Sequence, residues 1–304
     1  MAKEKQHTSH ILMIAPVQFG FNVQTTESNS FQKATEQHMV QEQALMEFTA
    51  LVDLLRANGV QVWVVQDTAQ PHTPDSIFPN NWFSTHGNAK VAVYPMQAEN
   101  RRQERRADII SNLADVFSII DIADYTLAEH EGRYLEGTGS MVLDRENKIC
   151  YACISLRTDA VLVKQFCSDF GYQPVLFNAI DRTGKPIYHT NVVMSVGSGF
   201  MVICLDCIPN PMHQSAIKDS TNKEIIEISL NQLEAFAGNM LEVQGEDGRP
   251  LLIMSSKANA SLSPEQLAKL SRHATLLHTP LNTIETNGGG SARCMMAEIF
   301  LPKK

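Results

Sequence analysis

Apolar residues recur along the chain with two different spacings, which divide it into helical and extended stretches. A spacing of three to four residues, as in Leu45, Phe48, Val52 and Leu55, predicts an amphipathic helix. This spacing predicts five helices, at about residues 34–58, 101–115, 158–170, 222–237 and 263–273. The fifth starts with Ser263-Pro264-Glu265-Gln266, which supplies an N-cap serine, a proline at the first helical position and a capping-box glutamine.

Short β-rich runs lie between these helices. The predicted strands cover residues 11–14, 60–65, 90–94, 117–122, 149–154, 174–177, 200–204, 240–243 and 251–254. A unit of strand, helix and strand therefore recurs five times, at intervals of about 40 to 65 residues. Such repeats indicate similar α/β modules in a single domain, which we expect to span residues 1–304, with a C-terminal strand beyond Cys294 packed near the N-terminal one.

Composition and charge narrow the class of protein. The 304 residues are 43% hydrophobic and 19% charged, which is ordinary for a globular protein and excludes a mostly disordered polypeptide. The formal net charge of −8 argues against a nucleic-acid or anionic-membrane partner. The sequence has no signal-peptide pattern and no apolar stretch near the about 20 residues of a membrane span, so we expect a cytoplasmic protein.

The six cysteines are too sparse for a disulfide scaffold, and we expect free thiols. Two CxxC pairs, Cys150–Cys153 and Cys204–Cys207, match a four-thiolate zinc site in number. Both pairs lie in apolar, strand-like runs, where residues three apart point to opposite faces. About 50 residues separate them, against about 15 to 20 in zinc ribbons, so we expect buried structural thiols and no metal.

Four polar segments carry candidate chemistry. Cys294 follows three successive glycines, which allow the backbone to approach a ligand closely, and His189 is a candidate base for its thiol. Glu136 precedes a glycine-rich turn, and Asp75 opens a polar run with aromatic neighbours that includes Asn81. Each segment alone is more often an ordinary loop or turn, so only their combined order supports a site.

In order, the motifs are Asp-x-x-Phe-x-x-Asn, Glu-Gly-x-Gly, Arg-Thr, His-x-Asn and Gly-Gly-Gly-Ser-x-x-Cys-Met. This series resembles the guanidine-modifying, or pentein, superfamily of arginine deiminases, dimethylarginine hydrolases and amidinotransferases. The resemblance spans about residues 11–302 and implies a five-bladed α/β propeller of ββαβ modules around a central substrate channel. The Phe-Pro-Asn-Asn-Trp segment is most similar to the citrulline-utilisation group of amidinotransferase-like hydrolases.

The resemblance also implies roles for single residues. Cys294 matches the nucleophile, His189 the general acid/base, and Glu136 the carboxylate that binds substrate nitrogens and the histidine. It implies that Glu136 favours protonated His189, whose charge stabilises the thiolate. No metal or organic cofactor is required.

A second set of positions matches the residues that hold the amino-acid end of the substrate. Asp75 matches the α-amino contact, and Arg157 matches an arginine that grips the α-carboxylate. A second carboxylate contact falls on Arg101 or Arg102, because the arginine-rich run from 101 to 106 leaves the register open. For that run, a solvated helix face is an equally good interpretation.

Two positions depart from the pattern of arginine deiminases, which present two aspartates to the guanidinium. Here both matching positions are amides, Asn81 and Asn191. A buried guanidinium needs paired negative charge, whereas an amide suits a neutral ureido group with its own carbonyl and NH2. The substitutions therefore favour a ureido amino acid, with citrulline as the obvious candidate.

These residues lead to a mechanistic hypothesis for a small amino-acid substrate. Cys294 attacks the ureido carbon of citrulline and His189 protonates the departing amine, which leaves a carbamoyl-cysteine. The departing amine is ornithine. Water then hydrolyses the adduct to carbamate, which decays to ammonia and carbon dioxide. The alternatives are an arginine deiminase, a dimethylarginine-type hydrolase or an amidinotransferase on a guanidino substrate, and a non-catalytic propeller that only binds. The sequence leaves open whether the protein acts as a monomer or a homodimer.

Overall fold

Five small sheets organise the molecule. A computed structural model describes residues 4–34 and 39–304 and places fifteen strands there, three in each sheet. The strands are β1 His10–Ala15, β2 Gln61–Gln66, β3 Phe83–Thr85, β4 Lys90–Val93, β5 Asp121–Asp124, β6 Val142–Asp144, β7 Ile149–Cys153, β8 Gln173–Phe177, β9 Met194–Val196, β10 Phe200–Ile203, β11 Glu224–Glu227, β12 Leu241–Gln244, β13 Pro250–Ser255, β14 Thr275–Thr279 and β15 Ala297–Glu298.

Eleven α-helices connect these strands within the described residues. They are α1 Val40–Ala57, α2 Glu99–Arg102, α3 Ala107–Val116, α4 Gly137–Ser140, α5 Ala160–Phe170, α6 Thr190–Val193, α7 Pro211–Asp219, α8 Leu230–Glu234, α9 Ser256–Ser261, α10 Pro264–Ser271 and α11 Asn282–Gly288. Short 3₁₀ segments lie at Val23–Thr25, Pro79–Asn81, Thr126–Glu131, Leu205–Cys207 and Ala292–Met295. None of the helices in these ranges is long and apolar enough to cross a membrane.

Every sheet has the same topology. A short first strand pairs antiparallel with the middle strand, and a third strand pairs parallel with the middle one after a helical crossover. This is the ββαβ order, and its fivefold recurrence confirms the predicted modules of a mixed α/β fold. The first sheet, β15–β1–β2, joins the N-terminal and C-terminal strands, since Ile11 pairs with Glu298. The predicted packing of the C-terminal strand near the N-terminal one is therefore confirmed.

Three helix predictions need correction. The first helix, predicted from residue 34, starts at Val40 in the part of it that the structure describes, and residues 35–38 lie outside the described residues. Leu45, which was predicted to face inward, is 40% exposed. The second is two helices, α2 and α3, separated by a turn. The fourth, at 222–237, is wrong: Ile226 belongs to strand β11, and only α8 is helical, while the crossover helix of that module is α7.

The error over residues 222–237 has a local cause. Ile226, Leu230 and Leu233 follow helical spacing, but the first lies in a strand and the others in a separate short helix. The structure also starts a strand at Asp121, near the end of the predicted run 117–122. The short first strands β3, β6 and β9 were not predicted, because three residues are too few to show a period.

The middle strands carry the core, as β7 and β10 are buried along their whole length while β2 is largely exposed. All six thiols are free and buried, as predicted. Cys150 and Cys153 pack into different apolar clusters on opposite faces of β7, also as predicted. Cys204 and Cys207, however, do not lie in one strand: Cys204 precedes a one-turn 3₁₀ helix and Cys207 is its last residue. Residues 4–34 and 39–304 contain no group of three or more His, Cys, Asp or Glu side chains placed to hold a metal ion.

Candidate active site

Several of the candidate residues lie in, or directly before, short segments that precede the first strands of the sheets. These segments are Pro79–Asn81, α4, α6, the turn at 235–238 and Ala292–Met295. The first contacts both α4 and the last, and α4 contacts α6, so the segments meet one another. Side chains far apart in sequence therefore converge at one place.

Glycines in α4 make this convergence possible. A Cβ at Gly139 would lie 2.4 Å from Asn81 Nδ2 and 2.7 Å from the His189 ring. At Gly137, which has φ +48°, it would lie 2.3 Å from the carbonyl oxygen of Asn80. The glycine-rich turn after Glu136 thus lets backbone pack directly against the candidate side chains.

One small cavity collects most of the predicted residues. It is lined by Asn29, Asp75, Phe78, Asn81, Arg101, Arg157, Tyr188, His189, Gly288, Gly290 and Cys294. Glu136 and Asn191 do not line it but contact His189 and Cys294, respectively. The structure thus brings all eight predicted site residues together. The cavity volume is about 10 Å³, so it must widen to admit an amino acid.

His189 and Glu136 form a fully buried pair. His189 Nε2 lies 2.8 Å from Glu136 Oε2, and Glu136 Oε1 accepts a hydrogen bond from the backbone N–H of Gln97. Burial alone would raise the pKa of Glu136, but Arg157 and His189 hold it well below its ordinary value. Burial also lowers the pKa of His189 to about 4, against the opposing effect of Glu136. Glu136 therefore favours protonated His189, as expected, but burial outweighs this effect and favours the neutral imidazole.

Cys294 is 3% exposed and is approached by two side-chain amides. Asn191 Nδ2 lies 3.4 Å and Asn239 Nδ2 3.3 Å from its Sγ. Asn239 is itself held, because it also donates to the carbonyl oxygen of Asn191 and accepts from the backbone N–H of Arg293. Two side-chain N–H donors are therefore directed at one sulfur.

Of the two arginines between which the sequence did not decide, Arg101 reaches the cavity and Arg102 does not. Arg101 is 2% exposed and lines the cavity, whereas Arg102 is half-buried and donates to the backbone carbonyls of Met96 and Gln97. Nε and Nη2 of Arg101 each lie 2.9 Å from an oxygen of Glu104, a bidentate contact. Burial raises the pKa of Glu104 to about 7, although Arg101 opposes the shift.

Asp75 lies beside Arg101 with one oxygen engaged. Its Oδ2 accepts from Asn22 Nδ2 at 2.7 Å and is 3.8 Å from Arg101 Nε. Its Oδ1 is buried without a hydrogen-bond partner in the described residues. Burial raises the pKa of Asp75, and Arg101 opposes this shift. An unpaired carboxylate oxygen at a cavity wall is suited to receive an ammonium group.

A segment near the N-terminus, residues 19–34, covers the cavity. Arg157 donates to Ser28 Oγ through Nε at 2.9 Å and through Nη2 at 2.7 Å, and to the carbonyl oxygen of Thr25. The remaining guanidinium nitrogen of Arg157, Nη1, lies 3.4 Å from Glu136 Oε2. Arg157 thus reaches the cavity as predicted, but this covering segment occupies most of its donors.

Three features of the site escaped the sequence analysis. They are Asn239 at the sulfur, Glu104 behind Arg101, and the covering segment with Asn22 and Asn29. A signal for Asn239 was present, because the pattern Phe-x-x-Asn occurs twice before a first strand, at Phe78–Asn81 and at Phe236–Asn239. Glu104 gave none, since one carboxylate in an arginine-rich run is typical of a solvated helix.

Comparisons with known proteins agree on the fold. A family model described as N,N dimethylarginine dimethylhydrolase, eukaryotic, matches residues 15–301. The comparison with curated protein sequences found no significant match.

Solved structures that resemble this one include ArgZ, an arginine dihydrolase from the ornithine-ammonia cycle in cyanobacteria. Its apo form has a TM-score of 0.78 and 18% identity over 96% of the present protein, which spans only 41% of the ArgZ polypeptide. Its N-terminal domain, as a cysteine-to-serine mutant bound to substrate, has a TM-score of 0.77 with 18% identity, covering 96% of the present protein and 98% of that domain. DDAH from Pseudomonas aeruginosa, as a cysteine-to-serine mutant complexed with citrulline, has a TM-score of 0.65 with 14% identity, covering 96% and 99%.

Proposed function

The chain belongs to the N,N-dimethylarginine dimethylhydrolase family, eukaryotic type, and on this premise we propose that it is a cysteine-dependent hydrolase that breaks a C–N bond at the end of an amino-acid side chain. Its substrate is an α-amino acid with a terminal ureido group, of which citrulline is the simplest. Cys294 is the nucleophile, His189 transfers protons, and Glu136 orients His189. This assignment agrees with the likeness of the Phe-Pro-Asn-Asn-Trp segment to citrulline-utilising hydrolases. We further propose that the five modules close into one propeller domain spanning residues 1–304, which acts in the cytoplasm.

The orientation of two amides carries the choice of a ureido group. Asn81 Oδ1 accepts from Arg101 Nη1 at 2.9 Å, and because arginine only donates, this contact fixes which end of the amide is oxygen. Asn81 therefore offers a substrate an N–H donor. Asn191 directs its Nδ2 at Cys294, and its Oδ1 is a buried acceptor without a partner in the described residues. One donor and one acceptor match the carbonyl and NH2 of a ureido group, whereas a guanidinium can only donate.

The balance of charge at the cavity points the same way. Asp75 is the one carboxylate among the residues that line it, and its free Oδ1 can hold one cation. A ureido amino acid has one cationic group, its α-ammonium, while arginine has two. An unpaired buried cation costs several kcal/mol (about 3–5), so the neutral head group fits better.

A guanidino substrate is the second candidate, and the comparisons favour it. ArgZ is named an arginine dihydrolase, and one of its structures, with an asparagine changed to serine, is covalently bound to a reaction intermediate. AgrE has been solved as a cysteine-to-alanine mutant with L-arginine. The ureido proposal therefore rests on how Asn81 and Asn191 are oriented.

The proposed reaction uses neutral His189 in both halves. His189 takes the proton of Cys294 as sulfur attacks the ureido carbon, and Glu136 stabilises the imidazolium so formed. The imidazolium protonates the terminal nitrogen, the C–N bond breaks, ammonia leaves, and the amino acid stays attached through S–CO–NH. Water then attacks the same carbon, His189 takes its proton, and the C–S bond breaks. The N-carboxy amine released decomposes to ornithine and carbon dioxide.

Ammonia rather than the amine leaves first in this scheme, because Asp75, Arg101 and Arg157 hold the amino-acid end. The carbamoyl-cysteine route has the opposite order and the same final products. Intact mass spectrometry of Cys294 trapped during turnover separates the two, since the adduct retains the amino acid in the first case only. Steady-state assays on citrulline, arginine, agmatine and dimethylarginine test the substrate: turnover of arginine with none of citrulline would contradict the ureido proposal.

A further inference from the structure

A second chamber lies beside Asn191 and plays no part in the reaction described so far. Its volume is about 30 Å³, and its walls include Gln6, Thr138, Arg145, Asn191, Ser195 and Arg293. One water molecule needs about 10–15 Å³ of such space, so the chamber holds about two. An amino acid does not fit.

Two polar atoms at the chamber lack partners in the protein. Asn191 Oδ1 and Ser195 Oγ are buried, on residues 0% and 6% exposed, with no hydrogen-bond partner within residues 4–34 and 39–304. Buried polar atoms are almost always hydrogen-bonded, and a polar chamber of this size supplies the missing partner as water. The chamber is thus a site for small polar molecules.

Asn191 links this chamber to the reacting sulfur. The same side chain that lines the chamber places Nδ2 3.4 Å from Cys294 Sγ. Elsewhere Gln6 closes the chamber, donating to the carbonyl oxygens of Leu143 and Val196 and accepting from the N–H of Arg145. Arg145 also lines an open cavity of about 890 Å³. The chamber therefore shares Arg145 with this open cavity and Asn191 with the surroundings of Cys294.

We propose that this chamber supplies the hydrolytic water and receives the ammonia while the amino acid remains covalently bound in the substrate cavity. The inference rests on the proposed function, with citrulline or with arginine as substrate, because both would release ammonia and consume water at the Cys294 adduct. Ammonia moves out past Asn191 after the C–N bond breaks. A water of nearly the same size moves in and attacks the carbon, so the covering segment stays closed between the two half-reactions.

Substitutions that fill the chamber test this. Ser195→Val adds volume and removes the hydroxyl, and Ser195→Thr adds one methyl and keeps it. We expect kcat to fall about tenfold for valine and less for threonine with kcat/KM little changed, because formation of the adduct precedes the blocked step. Rapid-quench mass spectrometry should show the Cys294 adduct accumulating in the order valine, threonine, parent. Val202→Ile is the matched control: Val202 pairs with Ser195 across the sheet, is fully buried and does not line the chamber.

The possible outcomes distinguish a failure of the chamber proposal from a failure of the proposed function. A valine variant that melts like the Val202→Ile control, yet shows the parent kcat and no extra adduct, overturns the chamber while leaving the proposed function intact. If the valine variant does not fold, the threonine variant is judged by the same two readings. A parent enzyme inactive on every ureido and guanidino amino acid overturns the proposed function, and this inference with it.

Discussion

The two ends of the substrate cavity are built from different chemistry. At the reacting end, Cys294 is surrounded by the amides of Asn191 and Asn239. At the other end, Asp75 and Arg101 lie among buried charges that pair with one another. One end is thus prepared for a neutral group and the other for a zwitterion, as expected for an enzyme that selects amino acids by their backbone and distinguishes the head group by hydrogen bonds.

The two ends also differ in the free energy that is lost when one of their residues is replaced. The charged end is stable only as a network, since removing one partner of a buried pair leaves an uncompensated charge worth about 3–5 kcal/mol. The amide end carries no net charge and tolerates change more easily. Substitutions at the charged end should therefore affect folding and binding together, whereas those at the amide end should affect chemistry or selectivity.

The strongest test of the reacting end is loss of the nucleophile. Cys294→Ser should lower kcat by at least about 10⁴-fold with the fold intact, because a hydroxyl is a far weaker nucleophile than a thiolate. Initial rates with citrulline or arginine and a melting curve measure both effects. Cys207→Ser, at a thiol that only donates to the carbonyl oxygen of Cys204, serves as the control. A serine enzyme as active as the parent would remove covalent catalysis.

At the charged end, Asp75 is the decisive position. Asp75→Asn keeps the size and the contact with Asn22 but removes the negative charge offered to the α-ammonium. We expect kcat/KM to fall about 100-fold, mostly through KM, since the interaction serves ground state and transition state alike. The same kinetic constants are measured for this variant with agmatine and other substrates that lack a carboxylate. An unchanged KM would place the α-amino group elsewhere.

The pH dependence of stability tests the junction of the two ends. Folding lowers the pKa of His189 from 6.5 to about 4, so the folded protein binds fewer protons between these values and loses stability as the pH falls from about 6.5 to 4. The loss is at most about 3 kcal/mol. Denaturant unfolding at pH 7, 5.5 and 4.5 measures it, compared with His189→Gln. Glu136, with its lowered pKa, contributes a similar loss only below about 4.5. Equal slopes for parent and variant would assign the pH effect to other groups.

The fivefold repeat was predictable from the sequence, and so was Asn191 at the sulfur though not Asn239, because glycine, histidine and cysteine motifs are local and appear in a fixed order. The residues at the charged end were less predictable. Whether Arg101 or Arg102 reaches the cavity depends on the short helix α2 and on Glu104 behind it, which are tertiary facts. The effect of Glu136 on His189 has the predicted direction, but the burial that outweighs it was not predicted, because no sequence pattern reports that balance. The strand at Glu224–Glu227 was missed because helical and extended apolar patterns look alike over so few residues.

The smallest expected effect is also the most informative about the head group. Asn81→Asp replaces the N–H donor by a carboxylate oxygen, which repels a ureido carbonyl and attracts a guanidinium. Arg101 already donates to this position at 2.9 Å and would neutralise much of the new charge, so we expect the ratio of kcat/KM for arginine over citrulline to rise only about tenfold. Asn80→Asp is the matched control, since Asn80 is equally buried, contacts Thr138, keeps an oxygen to accept from Asn81 Nδ2 and does not line the cavity. A ratio that rises equally in both variants would show that bulk charge sets the preference, while a ratio that falls for Asn81→Asp would show that Asn81 already serves a guanidinium.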